Sequence, residues 1–151
     1  GPGYSARVAR DPDLYGDDER VAALLDRTAV WAVVGLSENT RRPAYGVARV
    51  LQSRGKRIVP VHPRASTVHG ERGYATLADA VFELGDIDVV DVFVNSTRAG
   101  AVVDDAIAVG AKAVWLQLDV VDEDAARRAR DAGLAVVMDR CPAIEWRRLA
   151  P

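Results

Sequence analysis

From Val30 onward the chain alternates between short, unbroken apolar runs and stretches in which apolar residues recur every three or four positions. Runs at Val30–Val34, Arg57–Val61, 87–94, 112–116 and 134–138 are rich in β-branched residues and too short for helices, so they predict five strands. Between them, Val47, Val50 and Leu51, and then Ala99, Val102, Val103, Ala106 and Ile107, carry helical spacing. Helices are therefore predicted over 44–54, 76–83, 98–109 and 122–132, with Gly55, Gly110 and Gly133 as C-terminal stops. Asp17 and Asp18 open one more helix, whose apolar face of Val21, Leu24 and Leu25 is expected to pack across the sheet edge. Residues 1–16 are polar and aperiodic and are expected to form a flexible or surface-wrapping arm. Gly1-Pro2-Gly3 resembles the remnant of a cleaved tag. The folded domain is then 17–151, without internal repeats.

Strands that are apolar throughout rather than alternating are covered on both faces, which implies a parallel α/β sheet. The expected fold is a single doubly wound, Rossmann-like domain of five parallel strands in the order 3-2-1-4-5. A ligand crevice is expected between strands 1 and 4, and ligands of such sheets bind outside the carboxyl ends of the strands. The residues to watch are 35–37, 62–64, 95–98, 117–120 and 139–141.

The first strand stops at Gly35, and Ser37, Asn39 and Thr40 offer capping side chains before the next helix. The unpaired N–H groups at that helix start, its dipole, and the charges of Arg41 and Arg42 favour an anion. Charge distribution agrees. Residues 41–72 hold eight Lys or Arg against one acid, a local charge of +7 in a chain that is −2 overall. Positive charge concentrated around one turn suits a small polyanion and not a long nucleic acid duplex. Arg49, Arg54, Lys56 and Arg57 read as a solvated face, whereas Arg41, Arg42 and Arg64 fall at turn or strand-end positions. One cysteine, Cys141, allows no disulfide within the chain. With no apolar stretch long enough to span a membrane and no leader, a soluble cytoplasmic protein is expected.

A dinucleotide oxidoreductase needs G-x-G-x-x-G after strand 1 and an acid at the end of strand 2; here the turn reads Gly35-Leu36-Ser37 and strand 2 runs into Val61-His62-Pro63-Arg64. No G-K-[ST] follows Gly35 either, so a Walker P-loop is absent. The segments GLSENTRRPAYGV, PVHP, DVVDVF, GAKAVWLQ and AGLAVVMDRCPAIE resemble the stand-alone CoA-binding domain proteins, which are similar to the CoA-binding domain of the succinyl-CoA synthetase alpha subunit. The resemblance spans about residues 20–149. It implies coenzyme A or an acyl-CoA as ligand, with Gly35, Leu36, Ser37, Arg42 and Pro43 at the phosphates and Val61, His62 and Pro63 at the adenosine. Arg41, Arg64, Val94, Asn95, Arg98 and Gln117 complete the expected binding set. The family usually places Arg after the DVF strand and Gly after WLQ, where this chain has Val94 and Leu118-Asp119. Arg98 or Arg64 can supply the missing charge, and Asp119 brings an anion toward the thiol end of the ligand.

Neither histidine, His62 or His69, has an acid or nucleophile partner at a recognisable spacing, and no metal-ligand cluster emerges. The chain therefore reads as a non-catalytic binder of CoA. The alternatives are a CoA-binding subunit of a multi-chain acyl-CoA ligase, or an interaction module that has lost its ligand; a protein partner or a homodimer is compatible with each. Asp91, inside an apolar strand, is expected to be buried and hydrogen-bonded, the alternative being a functional carboxylate. Cys141 is expected to be an inert, half-buried thiol before a helix-starting Pro142, the functional alternative being a mixed disulfide with CoA. Trp31, Trp115 and Trp146 are expected to pack in the core.

Overall fold

A computed structural model describes residues 10–150. The elements run α1 (Pro12–Tyr15), α2 (Asp18–Arg27), β1 (Val30–Val34), α3 (Pro43–Ser53), β2 (Arg57–Val61), α4 (Leu77–Leu84), β3 (Val89–Val92), α5 (Ser96–Ala108), β4 (Ala113–Leu116), α6 (Glu123–Asp131), β5 (Ala135–Val137) and α7 (Pro142–Leu149). All five strands are parallel, as the unbroken apolar runs require.

The strand order is β2-β1-β3-β4-β5 and not 3-2-1-4-5, so the sheet reverses between β1 and β3. The physical reason lies in β2. Pro60 has no N–H to give a ladder, and such a residue belongs on an edge strand. In the structure the Pro60 carbonyl points off the sheet edge and accepts the Tyr74 N–H at 2.9 Å, while Val33 of β1 pairs with Pro60 on the other side. With β2 at the edge, β3 must add beyond β1. This is the other common doubly wound order.

Strand residues alternate between two apolar layers. Ala32, Val90, Val92, Val114, Leu116 and Val136 face α1, α4, α5 and α6, while Trp31, Val33, Val89, Trp115 and Val137 face α2, α3 and α7. The indoles of Trp31 and Trp115 pack with centroids 5.6 Å apart, and Trp146 of α7 lies in the same layer. α2 lies on this face of the sheet against α7 and β5. Within the segment expected as an arm, Leu14 and Tyr15 are buried in the opposite layer, and the Tyr15 hydroxyl donates to Glu123 at 3.1 Å. Residues 1–9 of that arm lie outside the described residues.

Two carboxylates on β3 and its approach behave in opposite ways. Asp88 accepts the N–H groups of Ala29 (2.8 Å) and Val30 (2.9 Å) and pairs with Lys112 at 3.1 Å, which ties together the entrances of β1, β3 and β4. Burial opposes its charge, yet these donors hold its carboxyl below the usual range. Asp91 was expected to be hydrogen-bonded, and it is not. It is 0% exposed and neither carboxyl oxygen has a partner. It stands between Val33 and Trp115 in register. The indole N–H groups of Trp31 and Trp115 are used elsewhere, by Thr28 and by the Arg140 carbonyl. Burial without a partner pushes the Asp91 carboxyl well above the ordinary value and favours its protonated form.

Candidate ligand-binding cleft

β1 delivers the chain to Gly35, which adopts φ +104° and donates its N–H to the Val61 carbonyl at 2.8 Å. A Cβ here would meet the Phe93 Cβ at 3.2 Å, so the turn needs glycine for both conformation and space. Beyond it, the Ser37 hydroxyl accepts the Asn39 N–H and the Asn39 side chain accepts the Arg41 N–H. These side chains close turns within the loop; they do not cap α3, contrary to expectation. The cap position is Arg42, which has no acceptor to offer, and α3 has no side-chain cap bond. Pro43 carries no N–H and Tyr45 donates its own to the Arg42 carbonyl at 3.1 Å, so in the first turn the Ala44 N–H is left without a partner among the described residues, beside a guanidinium and the positive end of the helix dipole.

The end of β2 contributes His62, whose Nδ1 accepts the Arg64 N–H at 3.1 Å, leaving the proton on Nε2. From β3 comes Asn95, whose Oδ1 caps α5 by accepting the Arg98 N–H and the Thr97 hydroxyl. The Arg98 side chain, in the first turn of α5, lies in the cleft wall and makes no ion pair among the described residues. β4 is followed by Gln117, which is 6% exposed and whose Oε1 has no hydrogen-bond partner among the described residues. Asp119 follows in the left-handed region at φ +69°, its N–H donated to Asp139 at 2.6 Å and its carbonyl accepting the Ser96 hydroxyl. That conformation accounts for the glycine the resemblance expects here, and Asp is among the few other residues that tolerate it.

These strand ends enclose one cleft of about 850 Å³, within the range of roughly 300–1,000 Å³ usual for small-molecule and cofactor sites. It brings together Gly35, Arg42, Pro43, Val61, His62, Pro63, Val94, Asn95, Arg98 and Gln117. It does not include four other expected residues. Leu36 is fully buried in the layer beneath α3, Ser37 is engaged in its loop turn, and Arg41 and Arg64 are exposed outside the wall. Residues not expected from the sequence complete it: Thr76 and Leu77 at the start of α4, Val102 and Asp105 on α5, and Ile144 on α7. The Tyr74 N–H on Pro60 and the Val61–Tyr74 bridge bring the α4 entrance against β2. The edge proline was the one sequence signal for it. Among the described residues no cluster of His, Cys, Asp or Glu is placed to hold a metal ion, and no helix is long and apolar enough to cross a membrane.

An open parallel sheet with a cleft at its switch point, a glycine turn and an uncapped helix start beside an arginine defines a nucleotide-type α/β binding domain. The model of the CoA binding domain family matches residues 29–147, and the chain belongs to that family. It is 31% identical over 121 residues to the uncharacterized protein YneT of Bacillus subtilis (strain 168), covering 80% of this chain and 87% of that one. A hypothetical protein from Pyrococcus horikoshii OT3 superposes with a TM-score of 0.84 at 34% identity, over 95% of this chain and 98% of that one. Cell-free ID.343 from Thermus thermophilus superposes with a TM-score of 0.79 at 31% identity, over 88% and 98%.

The residues present suit CoA. The Ala44 N–H, together with Arg42 and Arg98, which make no ion pair among the described residues, matches phosphates. The buried Gln117 Oε1 finds no donor among the described residues.

Proposed function

We propose that this domain binds coenzyme A in the cleft as a non-catalytic binder, with the phosphates at Gly35, Arg42, Pro43 and the α3 N-terminus and the adenosine against Val61, His62 and Pro63. The observation that carries the reading is the uncapped start of α3, with Arg42 at its cap position, opening into the cleft at the sheet's switch point. Arg98 supplies from α5 the charge that Val94 does not. The binding role without chemistry is supported by how the polar wall is committed: His62 Nδ1 to a backbone N–H, and Asn95 Oδ1 to the α5 cap.

Thermal unfolding with CoA, dephospho-CoA, NAD and ATP tests it. A ligand that binds only the folded state contributes about 2.7 kcal/mol at 100 times its dissociation constant. In a domain of this size each kcal/mol moves the melting point by about 2–4 °C, so saturating CoA is expected to raise it by roughly 5–10 °C, and NAD by much less. An unchanged melting point at millimolar CoA overturns the reading.

A further inference from the structure

The cleft has a second end, on the β4 and β5 side, with three features that the phosphate site does not use. The first is Gln117 Oε1, a buried acceptor with no donor. The second is the pair Leu118 and Ile144, large apolar side chains 46% and 43% exposed on the same wall. The third is Cys141, the only cysteine of the chain, 8% exposed and lining the cleft at the cap position of α7. An acceptor that wants an N–H, an apolar rim and a thiol together match an aliphatic, amide-bearing arm that ends in sulfur. The thiol is also held in place. The carbonyl of Arg140, next in the chain, accepts the Trp115 indole N–H at 2.8 Å, and its guanidinium donates to the carbonyls of Tyr15 (3.0 Å) and Gly16 (2.9 Å) and pairs with buried Glu145.

We propose that Cys141 is a site of covalent capture of CoA by thiol–disulfide exchange with CoA disulfide, the amide N–H of the pantetheine arm donating to Gln117. The inference rests on the reading that the cleft holds CoA. In the exchange the Cys141 sulfur, as thiolate, attacks one sulfur of CoA disulfide. The S–S bond of the reagent breaks, a Cys141–CoA disulfide forms, and the second CoA leaves as a thiolate that takes up the proton Cys141 gave to solvent. One disulfide replaces another, so no further oxidant is required. The nucleotide contacts at the opposite end direct the reagent by raising its effective concentration at Cys141.

The full chain is incubated separately with CoA disulfide and glutathione disulfide and followed by intact mass. The expected result is one adduct per chain, an increase equal to the mass of CoA less two hydrogens, reversed by dithiothreitol and absent in Cys141→Ser. The CoA adduct forms roughly tenfold or more faster than the glutathione adduct, because only CoA disulfide is concentrated by binding. Gln117→Ala should slow the CoA reaction several-fold and leave the glutathione rate unchanged. Equal rates for the two disulfides overturn the proposal. So does a missing adduct in protein whose melting point CoA still raises, which leaves the CoA-binding reading standing; neither adduct nor shift overturns both.

Discussion

Replacing Asp91 by Asn isolates the effect of a buried, partnerless carboxyl on stability. The side chain is 0% exposed, both its oxygens lack hydrogen bonds, and burial alone drives its proton affinity up. In the unfolded chain the same group titrates near pH 4. Above that pH the unfolded state releases a proton that the folded state keeps, so stability falls as pH rises, by about 1.4 kcal/mol per pH unit, until the pH reaches the native pKa. Asn keeps the shape and cannot ionise, and every other titrating group is common to both proteins and cancels in the difference. The melting point of Asp91→Asn relative to wild type should therefore climb between pH 5 and pH 6 by roughly 3–6 °C, at about 2–4 °C per kcal/mol for a domain of this length. Thermal unfolding of both proteins in buffers from about pH 4.5 to pH 7.5 measures it. A difference that stays flat across that range means Asp91 is ionised or paired in the folded protein, and refutes the reasoning.

Asp88 works in the opposite direction. Its carboxylate is held in the charged form by two backbone N–H groups and Lys112, so its contribution is present above the unfolded pKa and is lost as pH falls through the lowered native one; Asp88→Ala should cost about 1–3 kcal/mol at neutral pH, and the loss should shrink in acid. Gly35→Ala should lower the melting point by several degrees and weaken CoA, since it must hold φ +104° with a Cβ 3.2 Å from Phe93, and calorimetry of the folded variant separates the two effects. Arg42→Ala should leave the melting point of the free protein unchanged and weaken CoA by tens-fold, a charge-assisted contact contributing about 1.5–3 kcal/mol; titration that finds wild-type affinity, with a loss in Arg98→Ala instead, moves the phosphates to the α5 side.

Hydrophobic periodicity carried the five strands and α2 to α6, because each strand is covered on both faces and each helix on one; it did not carry α1, which lies in the segment expected as an arm, or α7, which only Pro142 signalled. It could not carry the strand order. Burial on both sides reads the same for β1 with β2 and β3 as neighbours as for any other central position, and only Pro60, a residue without a donor, distinguished edge from centre. Asp91 misled for a related reason. The rule that buried carboxyls find partners is a statement about donors nearby, and the indole N–H groups of Trp31 and Trp115 already serve Thr28 and Arg140. Strand-end positions located ten of the cleft residues, whereas Leu36 turned inward as the chain left Gly35. Thr76, Leu77 and Ile144 arrive from segments that approach only in space.

Where the cleft gains its chemistry was nevertheless written in two dipeptides. Asp11-Pro12, Arg42-Pro43 and Cys141-Pro142 each open a helix with proline at its first position, which fixes the preceding residue in extended backbone. Asp11 then caps its own helix, its carboxylate accepting the Asp13 N–H at 2.9 Å. Arg42 and Cys141 make no side-chain cap bond, so α3 and α7 begin without a side-chain cap. α5, which starts at the same cleft, satisfies its own first turn through Asn95 and so competes less for an anion. Both open helix starts lie in the cleft wall, one led by a cation and the other by a thiol. A ligand with phosphates at one end and sulfur at the other is the one that uses both.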